Sequence, residues 1–164
     1  MSKLDKINSL DKTEFINFFG NIFEKSEWIA DFVFNEKPFK NFEDLKTSFI
    51  SRFDKTNSEE ILKILNSHPE LVVESNLTKD SKKEQQGANL NRCSNQEYQE
   101  FKKLNHLYRK KFGFPFIIAV KGKNIHEILV NFKNRINQNK EEEFKEAKEQ
   151  VKQIASIRLD KIFL

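Results

Sequence analysis

A single cysteine, Cys93, stands in the whole sequence. No intrachain disulfide can form, no paired-cysteine metal site can be built, and nothing calls for an oxidising compartment, so a reducing cytoplasm fits best. Proline and glycine are almost as scarce, at three and four residues in 164, which removes the turn punctuation that a chain of many short strands requires. No apolar run approaches the roughly 20 residues of a membrane span, and the charged start Met1-Ser2-Lys3-Leu4-Asp5-Lys6 is unlike an export signal. Absent too are a glycine-rich phosphate loop, a His-Glu-x-x-His pair, and a second histidine at metal-ligand spacing from His126. The positive excess is small, 29 basic against 25 acidic residues for a net charge of +4, and the clusters Lys82-Lys83, Lys102-Lys103 and Arg109-Lys110-Lys111 have acidic neighbours. Solvated helix faces account for them better than a nucleic-acid track does.

What is present is apolar and aromatic material at helical spacing. With 37% hydrophobic residues, 17 phenylalanines and 33% charged residues, the chain can fill one core and solvate its surface, and its length suits one domain over residues 1–164. Phe15, Phe18, Phe19, Ile22 and Phe23 recur on one helical face behind a possible N-cap at Asp11. Ser26 can cap a helix bearing Trp28, Ile29, Phe32 and Val33, and Asn41 one bearing Leu45, Phe49 and Phe53. A helix from Ser58 should stop at His68, because Pro69 disfavours helical geometry in the residue before it. Ser94 and Glu97 form a capping box for a helix that Gly113 can end. The apolar run Phe114 to Val120 lacks helical spacing and carries Pro115, so it reads as extended or irregular backbone. Asn124 can cap a further helix, and a last long one spans about Glu141 to Ile162. These signals add up to an all-α protein, a single compact bundle of about eight helices.

Two positions break the pattern. In the last helix, Phe144, Ala147, Val151, Ile154 and Ile162 make an apolar stripe, and Arg158 falls on it. Such an arginine either lays its stem over apolar surface or pairs with a buried carboxylate, or else its planar fork awaits an anionic ligand. Between Leu77 and Leu90, residues Ser81, Glu84, Gln85 and Ala88 share one mostly polar face. Ser81-x-x-Glu84 is also a capping box, and as such would simply start a solvated helix. His106 and His126 lie on amphipathic helices and read as surface or packing residues, and a lone Cys93 reads as structural.

The run His68-Pro69-Glu70-Leu71, followed by Leu77-Thr78, Ser81, Glu84-Gln85 and Gly87, resembles the 2-oxo-4-hydroxy-4-carboxy-5-ureidoimidazoline (OHCU) decarboxylase family. Leu104-Asn105, Tyr108, Phe112-Gly113-Phe114-Pro115-Phe116-Ile117-Ile118-Ala119-Val120 and Ile154-Ala155 with Arg158-Leu159 are similar to the family's remaining signatures, in its order. Upstream, Phe23-Glu24, Ser26, Trp28 and Pro38-Phe39 are similar as well, so the resemblance runs from about Leu10 to Phe163. One departure is Val72-Val73-Glu74, where members commonly carry a small residue, glycine and lysine.

The resemblance implies an all-helical, frequently homodimeric enzyme that needs neither metal nor organic cofactor and acts on the small molecule OHCU. It implies that His68 is the catalytic acid or base with Glu84 assisting. Ser81, Gln85 and Arg158 would hold the substrate, Pro69 would shape the site, and backbone groups of Phe116, Ile117 and Ile118 would contact the ligand. Apart from the resemblance, the basic balance and lysine clusters leave a helical interaction or nucleic-acid-binding accessory module as an alternative, and a lyase on a related ureido acid is another.

Overall fold

The structure, a computed structural model, describes residues 1–72 and 77–164. Among the described residues all regular structure is helical, with nine α-helices, one 3₁₀ turn and no strand. None of these helices is long and apolar enough to cross a membrane. The chain divides into two compact units, Met1–Ser67 with Lys152–Leu164, and His68–Val151.

The first unit opens with α1 (Lys3–Ser9), α2 (Lys12–Phe19), α3 (Glu27–Phe34), α4 (Phe42–Asp54) and α5 (Ser58–Ser67). Capping chemistry sets most of their starts. Ser2 with Asp5 and Asp11 with Glu14 form reciprocal capping boxes, and the Asn41 side chain accepts from Asp44 N–H. Phenylalanines fill the interior: the rings of Phe15 and Phe19 lie 4.6 Å apart and tilted by 40°, and those of Phe23 and Phe53 stack 4.9 Å apart and nearly parallel. Each buried phenylalanine removes enough apolar surface to stabilise the unit by about 1.5–3 kcal/mol. The last helix, α9 (Lys140–Phe163), brings its C-terminal half here, where Lys152 pairs with Asp54 and Asp160 with Lys46, each at 3.0 Å.

Three local expectations are corrected here. The phenylalanine-rich helix ends at Phe19, because Gly20 follows with its poor helix propensity; Ile22 and Phe23 are buried from a turn instead. Ser26 precedes α3 without a side-chain cap, since its hydroxyl donates to the Glu24 carbonyl. Phe18, Trp28 and Phe32 are exposed, with the Arg52 guanidinium 3.7 Å from the Phe32 ring and 5.6 Å from Trp28.

The second unit holds α6 (Lys79–Gly87), the 3₁₀ turn Leu90–Arg92, α7 (Asn95–Phe112), α8 (Ile125–Arg135) and the N-terminal half of α9. The Ser94–Glu97 capping box starts α7, and Gly113 ends it at φ +80°, a left-handed conformation that glycine adopts without strain. The Asn124 side chain caps α8 through Glu127 N–H. Between α7 and α8 the run Phe114 to Val120 is buried and neither helix nor strand. Phe116 stacks on Phe132 at 3.9 Å, and Tyr108 meets both rings edge-on at 5.5 and 5.8 Å.

Candidate functional site

His68 opens the second unit, immediately beyond the end of α5 and before Pro69, as the sequence requires. It is 7% exposed, with its Nε2 atom shielded from solvent. The short turn that follows is tied down at every step. Glu70 Oε1 accepts from Arg109 Nε at 2.9 Å, Leu71 O accepts from Asn105 Nδ2 at 2.9 Å, and Val72 N–H donates to Gln85 Oε1 at 3.1 Å. Asn105 and Arg109 are one helical turn apart on α7, so one helix face and one α6 side chain together hold the turn next to His68, through the Glu70 side chain and the backbone of Leu71 and Val72. Val72 pays for this path with φ +63°, a left-handed conformation that a β-branched residue adopts only under strain. Of the departure Val72-Val73-Glu74, Val73 and Glu74 lie outside the described residues.

Helix α6 presents the polar face. Ser81 and Gln85 are buried and Glu84 is half-buried, so three of the anticipated site residues share one side of a single helix in the same unit as His68. The capping-box reading of Ser81 and Glu84 is overturned. Thr78 is the N-cap, its hydroxyl accepting from Ser81 N–H at 3.2 Å, and Ser81 sits inside the helix. A cleft of about 730 Å³ opens beside Gln85, with Val72, Leu77, Gln86, Cys93 and Tyr98 along its walls. Burial, and then the nearby Glu97 carboxylate, push the Cys93 thiol up from its ordinary pKa, which keeps it a poor nucleophile.

Phe116, Ile117 and Ile118 are buried in the second unit as well. Arg135 Nη1 donates to Ile117 O at 2.6 Å, and Ala119 N–H donates to Gln150 Oε1 at 2.9 Å. Arg135 is itself paired with Glu143, Nε to Oε1 at 2.8 Å, and the Tyr108 hydroxyl donates to the same carboxylate oxygen at 2.5 Å. Burial first, and the hydrogen bond to Glu143 second, raise the Tyr108 pKa far above that of a free phenol, so the hydroxyl stays a donor at any working pH.

Arg158 belongs to the first unit. It is 5% exposed, and its Nη2 lies 2.8 Å from Glu24 Oε2 while Nη1 donates to Asn21 O at 2.7 Å. A buried carboxylate partner is therefore part of its setting. His106 and His126 are exposed, and among the described residues no group of three or more His, Cys, Asp or Glu could hold a metal ion.

Asn105 was marked in the sequence only as part of a family signature, with no role given to it, and Arg135, Glu143 and Gln150 went unnoticed. Arg135 did carry a signal, since it falls three residues after Phe132 and seven after Ile128 on the α8 stripe. Glu143 carried one too, four residues before Ala147 on the stripe of α9. It is Glu143 that is fully buried, whereas Phe144 and Ile162, assigned to that stripe, are half-buried.

A sequence model of the OHCU decarboxylase family matches residues 8–160. The chain is 34% identical over 160 residues to the 2-oxo-4-hydroxy-4-carboxy-5-ureidoimidazoline decarboxylase of Haloferax volcanii, covering 98% of this chain and 95% of that protein. It is 36% identical over 163 residues to a uric acid degradation bifunctional protein of Bacillus sp. (strain TB-90), covering 99% of this chain but only 32% of that longer protein. Among solved structures, an (S)-allantoin synthase superposes with a TM-score of 0.81 at 26% identity, over 100% of this chain and 54% of that one. An OHCU decarboxylase in the presence of (S)-allantoin superposes at 0.74 and 24% identity, over 94% of this chain and 99% of that one, a likeness of fold.

Proposed function

Because this chain belongs to the OHCU decarboxylase family, matched over residues 8–160, we propose that it converts OHCU to (S)-allantoin in uric acid degradation. The family match carries this reading, together with the near full-length likeness to the Haloferax volcanii decarboxylase. The extent of the match also supports one functional domain across the chain.

The substrate carries a carboxylate and a hydroxyl on one ring carbon and a ureido group on the next. When the bond to the carboxylate breaks, carbon dioxide leaves and the electron pair forms the enol double bond to the ureido-bearing carbon. The ring nitrogen that was doubly bonded to that carbon takes the displaced pair and a proton from solvent. A proton then reaches the carbon bearing the ureido group, and the enol oxygen gives up its own proton to become a ring carbonyl. The ring itself accepts the electron pair. His68 takes the hydroxyl proton or stabilises the charge that develops there, a task for which a side chain with an ordinary pKa of about 6.5 is suited. Glu84 holds ureido or ring nitrogens, and Ser81 and Gln85 bind beside it on the same face of α6. Pro69 shapes the pocket next to His68, and the backbone of Phe116, Ile117 and Ile118 contacts the ligand. The shared face of α6 and the tethered turn after His68 support this assignment. The part given to Arg158, orienting the substrate carboxylate without neutralising it fully, rests on the family resemblance alone. So does pairing of the chain as a homodimer, while a reducing cytoplasmic setting is supported by the single cysteine.

The test is a coupled reaction of urate, a urate oxidase and a hydroxyisourate hydrolase, with and without this protein. Accelerated loss of OHCU and optically active allantoin are expected. Racemic allantoin formed at the spontaneous rate would refute the reading.

A further inference from the structure

The lysine clusters of α7 have acidic neighbours in the sequence, but the structure engages those acids elsewhere. Glu97 closes the capping box with Ser94, and Glu100 pairs with Lys133 of α8. Glu70, on the turn after His68, accepts from Arg109 Nε at 2.9 Å. Among the described residues Lys102 and Lys110 form no ion pair, while Lys111 donates to Ile136 O at 2.7 Å.

Lys102, His106 and Lys110 follow one another at intervals of four residues, and Arg109 lies three beyond His106. All four therefore stand on one stripe of α7, with successive Cβ atoms about 5–6 Å apart. Within the second unit they line a depression of about 390 Å³, where Glu70 is the one carboxylate among the described residues. Lys102, Arg109 and Lys110 set three positive charges against the single negative charge of Glu70, before His106 is considered. Like charges on one helix face oppose folding, so the stripe is unfavourable unless an anion rests on it. Phosphate matches it well. Its oxygens can accept from both lysines and the imidazole together, and its charge approaches two, whereas a carboxylate offers two oxygens and one charge.

We propose that this depression is a binding site for phosphate, as the free ion or as a small phosphate monoester. Lys102 and Lys110 are its charged donors, the His106 imidazole is a third donor, and Arg109, tied to Glu70, adds positive charge to the wall. Glu70 is two residues from His68, so the site adjoins the turn that follows the candidate base. It holds whether or not the chain turns over OHCU.

Calorimetric titration of the whole chain with inorganic phosphate, at fixed pH and about 0.15 M NaCl, tests this directly. One phosphate should bind with a Kd of about 1 mM. Lys102→Gln and Lys110→Gln should each raise Kd about tenfold or more, the effect of one lost charge-assisted hydrogen bond. Lys103→Gln removes the same charge from outside the depression and should leave Kd within about twofold. All three lysines are exposed, so none of these substitutions endangers the fold. In NMR spectra of the same titration, the His106 imidazole signals should shift saturably, and those of exposed His126 on α8 should not. Glycerol phosphate binding more tightly than phosphate would assign the site to esters, and the reverse order would assign it to the free ion. Acetate binding as tightly as phosphate would overturn the proposal. So would an equal loss in Lys103→Gln, an equal shift of His126, or no binding at all. Binding at low salt that disappears at about 0.15 M NaCl would mark an adventitious ion only, and would overturn it too.

Discussion

Arg158 Nη2 and Glu24 Oε2 face each other at 2.8 Å, and the two side chains are 5% and 0% exposed. Both charges have left water, so each depends on the other, and removing one strands its partner. Arg158→Met is therefore expected to destabilise the protein by roughly 3–5 kcal/mol whatever else the arginine does. The double variant Arg158→Met/Glu24→Gln removes the stranded charge and should recover much of that loss in a thermal melt. Activity of the double variant then separates the roles. A KM for OHCU at the wild-type level would exclude Arg158 from substrate binding.

His68→Asn should preserve the fold, since the ties through the Glu70 side chain and the backbone of Leu71 and Val72 do not involve the imidazole. The rate of OHCU decarboxylation should fall roughly 10²-fold to 10⁴-fold, as for loss of a positioned acid or base. Near-normal turnover in a folded variant would remove His68 from the mechanism.

With Thr78 as the cap of α6, stability and chemistry separate along one helix. Thr78→Ala should lower stability by about 1 kcal/mol, read as a fall in Tm, because Ser81 N–H loses its acceptor. Glu84→Gln keeps the side-chain shape and should reduce activity far more than it reduces Tm. Equal turnover for Glu84→Gln and wild type would make Glu84 a structural residue.

Val72 at φ +63° supplies a prediction of opposite sign. A left-handed conformation is unfavourable by about 1–2 kcal/mol for a residue with a Cβ. Glycine avoids this, at a loss of about 0.5–1 kcal/mol in backbone entropy. Val72→Gly should accordingly leave stability unchanged or raise it by up to about 1 kcal/mol, measured by denaturant unfolding. A clear loss would show that packing of the half-buried valine outweighs the strain.

Much of the fold was legible because the signals that start and stop helices are local. Asp11, Asn41, Ser94 and Asn124 cap the helices they were expected to cap, and Gly113 ends α7 in the left-handed conformation anticipated for it. The irregular run Phe114 to Val120 was legible from its missing period and its proline. Errors came where two local signals competed. Ser81-x-x-Glu84 satisfies the capping-box pattern, but Thr78, three residues earlier, offers its hydroxyl to Ser81 N–H, and only one residue can hold that end of the helix.

The sequence by itself determined the helical class, most helix boundaries, the placement of His68 just before a proline at a helix end, and, through its ordered motifs, the family. It also marked Arg158 as an arginine on an apolar stripe. Only the tertiary structure decided what that stripe means, because Glu24 is 134 positions away in sequence, and no periodicity links a charge to a partner so distant. The same holds for Asn105 on Leu71, Arg135 on Ile117 and Gln150 on Ala119, at separations of 34, 18 and 31 residues. A helix pattern is written in spacings of three and four residues, since that is the reach of a helical turn. A buried hydrogen bond is fixed by which backbone groups the packed chain leaves unpaired, and that is settled only once distant segments have met.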